Sequence, residues 1–210
     1  MSKPPSPPCT IPAQARLDPA RPACYRRKGS KTRARLVTTL HYLAYGSNLH
    51  PLRLRERVPS ASLLGVVNLS GQNVVFQKIS PDGSSKCDLV ATGRTGMAFG
   101  ALYAIDRRHL GALDAVEGLG AGYDRHVFPL QFRGRDLRPF TYRASGTHVH
   151  PDLKPFRWYR DLVLAGASYL GLPQTYRRTL AGVSAMDDPD AVRRSDHKAL
   201  LTRIRNYRDP

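Results

Sequence analysis

Short runs of apolar residues, alternating with polar ones, follow one another through the middle of the chain and predict a series of strands. The first run, HYLAY at residues 41–45, is apolar enough for a buried strand and ends at the turn-forming sequence GSN. Glycine, proline, aspartate and serine separate the later runs, as in PDGS at residues 81–84. The later predicted strands cover residues 61–69, 73–77, 89–92, 97–105, 123–132 and 137–142.

Two stretches repeat apolar residues every three or four positions and predict amphipathic helices. The first begins at Asp106, a favourable N-cap residue, and ends at Gly118, a residue type that commonly follows a helix C-terminus. The second follows Pro155 and ends at Gly171. Many strands and few helices, without βαβ alternation, predict an α+β domain built around a mixed or barrel-like sheet.

Composition divides the chain into three parts. Residues 1–36 are rich in Pro, Arg and Ala and have no apolar period, so we expect a disordered basic extension. Residues 37–184 form the predicted domain, and the hydrophobic content of 41% is sufficient for a packed core. Residues 185–210 are polar and basic and predict a tail with at most one loose helix.

The start of the chain, MSKPPSPPCT, is broken by prolines and lacks the apolar segment of a secretory signal. An Arg-rich, acid-poor start also fits an organellar transit peptide, although the prolines disfavour an amphipathic helix. No apolar run reaches the roughly 18 residues of a membrane span. Cys9, Cys24 and Cys87 form no C-x-x-C pair, which predicts neither a disulfide framework nor a zinc site and favours the cytoplasm.

The net charge of +17 is concentrated near the two ends of the chain. Residues 1–40 hold nine Lys and Arg against one Asp, and residues 191–210 hold six against two. Basic tails can hold polyanions without specificity. We therefore expect no specific nucleic acid and no membrane as a partner, while a protein that binds RNA or another polyanion remains an alternative.

The turn after the first predicted strand, Tyr45-Gly46-Ser47-Asn48, is the first candidate binding site. Glycine lets the backbone approach a ligand closely, and successive N–H groups in such a turn can surround a carboxylate or a developing oxyanion. Residues 49–58 would then form a short helix with Asn48 as its N-cap. The alternative interpretation is an ordinary strand–turn–helix connection with no ligand.

A second candidate is Glu117, at the C-terminal end of the helix that Asp106 begins. The helix dipole is negative there, so an enclosed carboxylate would resist ionisation and could act as a general base and acid near neutral pH. The alternative interpretation is an exposed surface glutamate beside the helix-ending Gly118.

The YGSN turn, the sequence D-x-x-E-G about 70 residues later and a downstream Tyr together resemble the γ-glutamylcyclotransferase family. The run YRDLVLAGA at residues 159–167, followed by GLP at residues 171–173 and by Tyr176, is similar to the family's late helix and its exit. The resemblance covers roughly residues 41–181. Asn48 favours this branch over the glutathione-specific branch, whose loop usually reads Gly-Ser-Leu.

The resemblance implies a small β-barrel flanked by helices and assigns the site residues one by one. Glu117 stands where the family has its catalytic glutamate, Tyr159 matches a substrate-contacting tyrosine, and Tyr123 matches an aromatic residue of the cavity. The substrate loop would use its backbone N–H groups, and it consists of Tyr42, Leu43, Ala44, Tyr45, Gly46, Ser47 and Asn48.

The activity implied is that of a cyclotransferase, which cleaves a γ-glutamyl amide and releases 5-oxoproline and a free amine without a metal or organic cofactor. The expected partner is a small-molecule γ-glutamyl substrate, and a monomer and a dimer both fit. Residues 77–89 depart from the family pattern and could reshape the pocket, so γ-glutamylamines and a γ-glutamylated metabolite remain alternative substrates. His148 and His150 could form half of a metal site, but no third ligand lies at a recognisable spacing.

Overall fold

The computed structural model describes residues 38–208, so the predicted extension at residues 1–36 lies outside the described residues. The α+β class is confirmed. The strands are β1 (Thr39–Ala44), β2 (Ser62–Ser70), β3 (Gln72–Ile79), β4 (Ser85–Ala91), β5 (Met97–Asp106), β6 (Tyr123–Val127), β7 (Leu130–Phe132), β8 (Arg135–Leu137) and β9 (Phe140–Ala144). The helices are α1 (Pro51–Arg57), α2 (Leu110–Glu117), α3 (Arg157–Tyr169), α4 (Gln174–Ala181) and α5 (Ala191–Arg205).

Five of these strands form the central sheet, in the order β2-β5-β1-β9-β6. β1 pairs antiparallel with β5 and parallel with β9, so the sheet is mixed, as the sequence predicts. β3 and β4 form a separate antiparallel ribbon, and β7 and β8 form another. The described strands do not close into the predicted barrel, because β2 and β6 lie at opposite edges of the sheet and do not pair with each other.

The middle of the central sheet is fully enclosed by packed side chains. Leu43 of β1 and Leu102 and Tyr103 of β5 have no exposed surface, and Leu54 of α1 and Leu113 of α2 are equally buried. Burying one leucine contributes about 1.5–3 kcal/mol relative to leaving it exposed. The C-terminal end of β1 is therefore held firmly, and so is the turn that follows it.

The predicted helix between Asp106 and Gly118 is confirmed, with a 3₁₀ turn at Arg107–His109 ahead of α2. The side chain of Asp106 accepts a hydrogen bond from the N–H of Arg108 at 2.9 Å, as an N-cap does. Gly118 has a φ of 70°, a left-handed conformation that glycine adopts without a steric penalty. The chain therefore leaves the helix directly after Glu117.

The prediction of Asn48 as the N-cap of α1 is wrong. A 3₁₀ turn at Ser47–Leu49 comes first, and His50 is the N-cap, because its Nδ1 accepts a hydrogen bond from the N–H of Leu52 at 3.2 Å. Pro51 follows as the first helical residue, a position where its missing N–H costs nothing. The side chain of Asn48 is thereby free for the contacts described below.

Prolines divide each of the two last predicted strands. The run at residues 123–132 becomes β6 and β7, with Pro129 between them, and the run at residues 137–142 is broken at Pro139 between β8 and β9. Proline has no N–H for a strand ladder, so a strand commonly stops beside it. The N–H of Phe128 donates to the carbonyl of Pro139 at 2.8 Å, which places the two breaks side by side.

The C-terminal segment forms a packed helix. Leu200, Leu201 and Ile204 of α5 make an apolar cluster with Leu162 of α3. Asp188, just before α5, is 1% exposed and accepts a hydrogen bond from the indole N–H of Trp158 at 2.8 Å. Among residues 38–208, no helix is both long enough and apolar enough to cross a membrane.

Candidate active site

A narrow chamber of about 30 Å³ lies between the turn after β1 and the C-terminal end of α2. Eight of the ten predicted site residues line this inner chamber, namely Tyr42, Tyr45, Gly46, Ser47, Asn48, Glu117, Tyr123 and Tyr159. The fold thus brings together residues that are up to 117 positions apart in the sequence.

Leu43 and Ala44, the other two predicted residues, do not line the inner chamber. They lie in β1, where they pair with Leu102 and Ala101 of β5, and each is at most 1% exposed. Because β1 lies between β5 and β9, its backbone polar groups are directed to neighbouring strands rather than to the chamber. These two residues anchor the turn, and the residues that follow them in the sequence line the inner chamber instead.

Gly46 allows the turn to approach β4 and α3 closely. A Cβ atom at this position would lie 3.1 Å from the Cβ of Cys87 and 3.4 Å from the hydroxyl of Tyr159. The first of these distances is shorter than ordinary van der Waals contact, so a larger residue would push the walls of the inner chamber apart.

Glu117, the last residue of α2, presents its carboxylate to the inner chamber. Its Oε1 accepts a hydrogen bond from Asn48 Nδ2 at 2.7 Å and lies 3.4 Å from Nη1 of Arg57. The side chain is 17% exposed, so the alternative of a fully solvated surface glutamate does not apply. Both contacts stabilise the negative charge and fix the direction of the carboxylate.

Asn48 connects three groups of the site. It is 3% exposed and donates to the hydroxyl of Tyr42 at 3.1 Å as well as to Glu117. Its Oδ1 accepts a hydrogen bond from Arg57 at 2.8 Å. Arg57 is not among the predicted site residues, because it belongs to a different helix and no local pattern links it to Glu117.

Buried tyrosines form the opposite wall of the inner chamber and hold β4 in place. The hydroxyl of Tyr159 accepts a hydrogen bond from the N–H of Cys87 at 3.1 Å, and that of Tyr123 donates to the carbonyl of Cys87. The hydroxyl of Tyr45 donates to the carbonyl of Tyr142 at 2.5 Å. Burial raises the pKa of Tyr45, Tyr123 and Tyr159 well above the ordinary value, so these hydroxyls stay protonated at neutral pH.

Two lining residues, Cys87 and Tyr142, were absent from the predicted site. Cys87 lies within residues 77–89, the segment in which the sequence departs from the family pattern. Burial raises the pKa of its thiol to about 12, so it is not a thiolate at neutral pH. Tyr142 donates to Asp114 Oδ1 at 2.6 Å, so the first residue of the D-x-x-E-G sequence positions a wall of the chamber.

The inner chamber adjoins a wider outer cleft of about 400 Å³. The two spaces share four lining residues, which are Ser47, Glu117, Tyr123 and Tyr159. Basic side chains dominate the remaining lining of the outer cleft, and they are Arg53, Arg57, Lys78, Lys86 and Arg193. The carboxylate of Glu117 therefore stands at the junction between a narrow neutral chamber and a basic cleft.

Within residues 38–208, no group of three or more His, Cys, Asp and Glu side chains is arranged to hold a metal ion. His148, one half of the site considered from the sequence, instead contacts the hydroxyl groups of Ser145 at 3.1 Å and Thr147 at 3.0 Å through its Nδ1.

Comparisons with known proteins agree with this fold. The AIG2-like family model matches residues 97–180, which include Glu117 and Tyr159. Human γ-glutamylcyclotransferase is 26% identical over 156 residues, covering 70% of this chain and 79% of the human protein. The mouse γ-glutamylcyclotransferase is 26% identical over 149 residues, with 69% and 79% covered. The predicted resemblance to the γ-glutamylcyclotransferase family is confirmed.

Two solved structures share the fold. One described as a γ-glutamyl cyclotransferase superposes with a TM-score of 0.69 at 21% identity, covering 79% of this chain and 99% of that one. A crystal structure of an uncharacterized human protein gives 0.68 at 22% identity, with 78% and 98% covered. The shared fold thus spans almost the whole length of these two structures and the greater part of this chain.

Proposed function

We propose that this relative of the γ-glutamylcyclotransferases cleaves γ-glutamyl amides by intramolecular cyclisation. The α-amine of the substrate attacks its own γ-carbonyl carbon, and the products are 5-oxoproline and a free amine. The observation that carries the proposal is that Glu117 and the Gly46-Ser47-Asn48 turn line one inner chamber, although they lie on separate elements of the fold.

The side chains of the inner chamber favour a nucleophile that belongs to the substrate. The thiol of Cys87 is neutral at physiological pH, because burial raises its pKa to about 12. The buried tyrosine hydroxyls are protonated as well. No histidine lines this chamber within the described part of the chain, so Ser47 has no imidazole there to activate it.

Glu117 is assigned the proton transfers. Its carboxylate accepts a proton from the α-ammonium group, and the resulting amine forms the new N–C bond at the γ-carbonyl. When the tetrahedral intermediate collapses, the protonated Glu117 passes its proton to the departing nitrogen and the old C–N bond breaks. The carboxylate then takes the second proton from the new lactam nitrogen and gives it to the released amine, which leaves as an ammonium ion. The carboxylate is restored and no cofactor is consumed.

The turn after β1 is assigned the oxyanion. The first N–H groups of a helical turn have no partner within that turn, which leaves those of Ser47 and Asn48 for a ligand. One such donor aimed at a developing oxyanion lowers the activation free energy by about 3 kcal/mol. Holding the amine and the carbonyl in attack geometry lowers the activation free energy further, by up to about 7–11 kcal/mol for well-oriented intramolecular reactions.

A product assay tests the proposal directly. The protein is incubated with γ-glutamyl-alanine, and 5-oxoproline and alanine are quantified together. The proposal predicts that the two appear in equal amounts, whereas simple hydrolysis would give glutamate and alanine. A panel that includes γ-glutamyl-ε-lysine and other γ-glutamylamines covers the alternative substrates, and no 5-oxoproline from any member would rule the proposal out.

A further inference from the structure

The outer cleft has an unusual balance of charge, and this balance bears on the amine that is released. Five basic side chains line it, against the two carboxylates of Asp82 and Glu117. Three of the five cations are paired with carboxylates. The pairs are Lys86 with Asp82 at 2.7 Å, Arg193 with Asp188 at 2.6 Å, and Arg57 with Glu117 at 3.4 Å.

Arg53 and Lys78 remain without a carboxylate partner among residues 38–208. Arg53 is 6% exposed, and its Nε is buried with no hydrogen-bond partner. Lys78 is 5% exposed, and its Nζ lies 4.8 Å from the centre of the Tyr123 ring. Neither side chain makes a hydrogen bond to another described residue. The two buried cations therefore face the outer cleft without a direct ionic contact, although Glu117 lies near enough to attract both.

Burying an unpaired charge is costly, because the protein does not replace the water that the charge has lost. The same burial lowers the pKa of both Arg53 and Lys78. An anion that entered the outer cleft would restore the lost interactions, and it would gain more there than beside an exposed lysine.

The γ-glutamyl half of the substrate adds no net negative charge to the outer cleft. Its α-ammonium and α-carboxylate groups cancel, so that half is neutral overall. Glu117 stands where the inner chamber meets the outer cleft, so the departing amine must lie on the outer side. The negative charge that the cleft requires must therefore be carried by the amine that leaves.

We propose that the outer cleft selects γ-glutamyl substrates whose released amine carries two negative charges, one for each of Arg53 and Lys78. A dicarboxylic amino acid is an amine of this kind. The inference rests on the proposed function, because it assigns a substrate class to the same site.

The first test compares γ-glutamyl-glutamate with γ-glutamyl-glutamine, which have nearly the same shape but differ by one charge. The expected result is a kcat/KM at least about tenfold higher for γ-glutamyl-glutamate. Added salt should reduce this ratio, since salt screens the interaction between charges. A ratio near one, with 5-oxoproline released from both, would overturn the inference and leave the proposed function standing.

Variants then locate the preference. Lys78→Met and Arg53→Met should each lower kcat/KM for γ-glutamyl-glutamate while γ-glutamyl-alanine is still converted. The variant that loses the cation facing the side-chain carboxylate should also bring the ratio of kcat/KM values close to one. The matched controls are Lys154→Met and Arg178→Met, which remove exposed cations outside the cleft and should keep the parent ratio. An unchanged kcat/KM for γ-glutamyl-glutamate in either variant would contradict the assignment of that cation. If Arg53→Met does not fold, the effect of salt on the parent's ratio of kcat/KM values shows whether charge sets the preference.

A further arm, γ-glutamyl-phosphoethanolamine, places both negative charges on one phosphate. If this compound is turned over faster than γ-glutamyl-glutamine, the cleft accepts a dianion of either kind. If it is turned over more slowly than both peptides, the inference is overturned for phosphates. Absence of 5-oxoproline with every compound would overturn the proposed function itself, and the inference with it.

Discussion

Asn48 shows how a single side chain organises the site. Local sequence rules predict it as a helix N-cap, but in the structure His50 takes that position. Asn48 instead bridges Tyr42, Arg57 and Glu117 from an almost fully buried position. Its hydrogen bond to Glu117 holds that carboxylate beside the inner chamber.

We expect Asn48→Ala to lower kcat by between about tenfold and 100-fold, because a carboxylate displaced by a fraction of an ångström transfers protons less effectively. KM should change less, since the backbone of the turn remains. Steady-state kinetics with γ-glutamyl-alanine measure both values. Asn68→Ala on the exposed face of β2 is the control and should behave like the parent. An unchanged kcat for Asn48→Ala would contradict the positioning role.

At this scale the sequence predicts the charged group better than its surroundings. Glu117 could be found because it ends a recognisable helix, and the turn at Gly46 could be found because it ends a recognisable strand. Arg57, Cys87 and Tyr142 could not be found, because they reach the site from α1, β4 and β9 through tertiary packing that leaves no local signal.

At the scale of elements, the site depends on the close approach of α3 to the turn after β1. Gly166 of α3 makes this approach possible, since a Cβ there would lie 2.6 Å from the Cβ of Leu49 and 3.0 Å from the backbone nitrogen of His50. The backbone nitrogen cannot move aside as a flexible side chain would. The helix therefore sets the position of the turn that holds the proposed oxyanion donors.

We expect Gly166→Ala to destabilise the protein by about 1–3 kcal/mol, the usual cost of overpacking a well-filled interior. Gly111→Ala in α2 is a matched helical control, because a Cβ at Gly111 meets nothing within 4 Å. There the same substitution should stabilise by about 0.4–1 kcal/mol. Denaturant unfolding of both variants measures the difference. Equal effects at the two positions would show that the approach of α3 is not tight.

The element boundaries show where sequence reasoning stops. The capped helix from Asp106 to Gly118 was predictable because both ends carry side-chain or glycine signals. The predicted strands around Pro129 and Pro139 were too long, because the prediction followed the apolar run through each proline. Proline has no N–H to donate to a neighbouring strand, so the strands end beside it. Both the strand pattern and the family resemblance led to the expectation of a barrel, whereas strand pairing over residues 38–208 gives an open mixed sheet and two ribbons.

At the scale of the whole molecule, a buried carboxylate ties the C-terminal helix to the rest of the fold. Asp188 has no exposed side-chain surface, and it accepts hydrogen bonds from Arg193 at 2.6 Å and from Trp158 at 2.8 Å. The hydrogen bonds from Arg193 hold the pKa of this carboxyl well below its usual range. The basic C-terminal segment is thus anchored by a buried acid, in addition to the more exposed pair of Arg203 with Glu56.

Asp188→Asn should lower the free energy of unfolding at pH 7 by about 1.5–3 kcal/mol, the range for hydrogen bonds to a charged group. The control is Asp187→Asn, whose side chain is 77% exposed and pairs with an exposed arginine, a contact worth at most about 1 kcal/mol. Chemical denaturation at pH 7 measures both. Equal losses in the two variants would contradict the anchoring role.

The same pair of variants gives a pH test. A carboxyl whose pKa is lower in the folded state contributes its full stabilisation above the ordinary Asp pKa of about 3.9, and loses it as the pH falls further. The difference between the parent and Asp188→Asn should therefore be constant from neutral pH down to that range and shrink below it. A difference that grew on acidification would have the wrong sign.

The most direct measurement of the central claim is the rate of 5-oxoproline release by Glu117→Gln at saturating γ-glutamyl substrate. Glutamine preserves the size of the side chain and can still accept the hydrogen bond from Asn48, but it cannot take up the proton of the α-ammonium group. The account predicts a rate about 100-fold to 10,000-fold below that of the parent, with substrate still bound. A rate within a few-fold of the parent would show that the carboxylate between the inner chamber and the outer cleft is not the base.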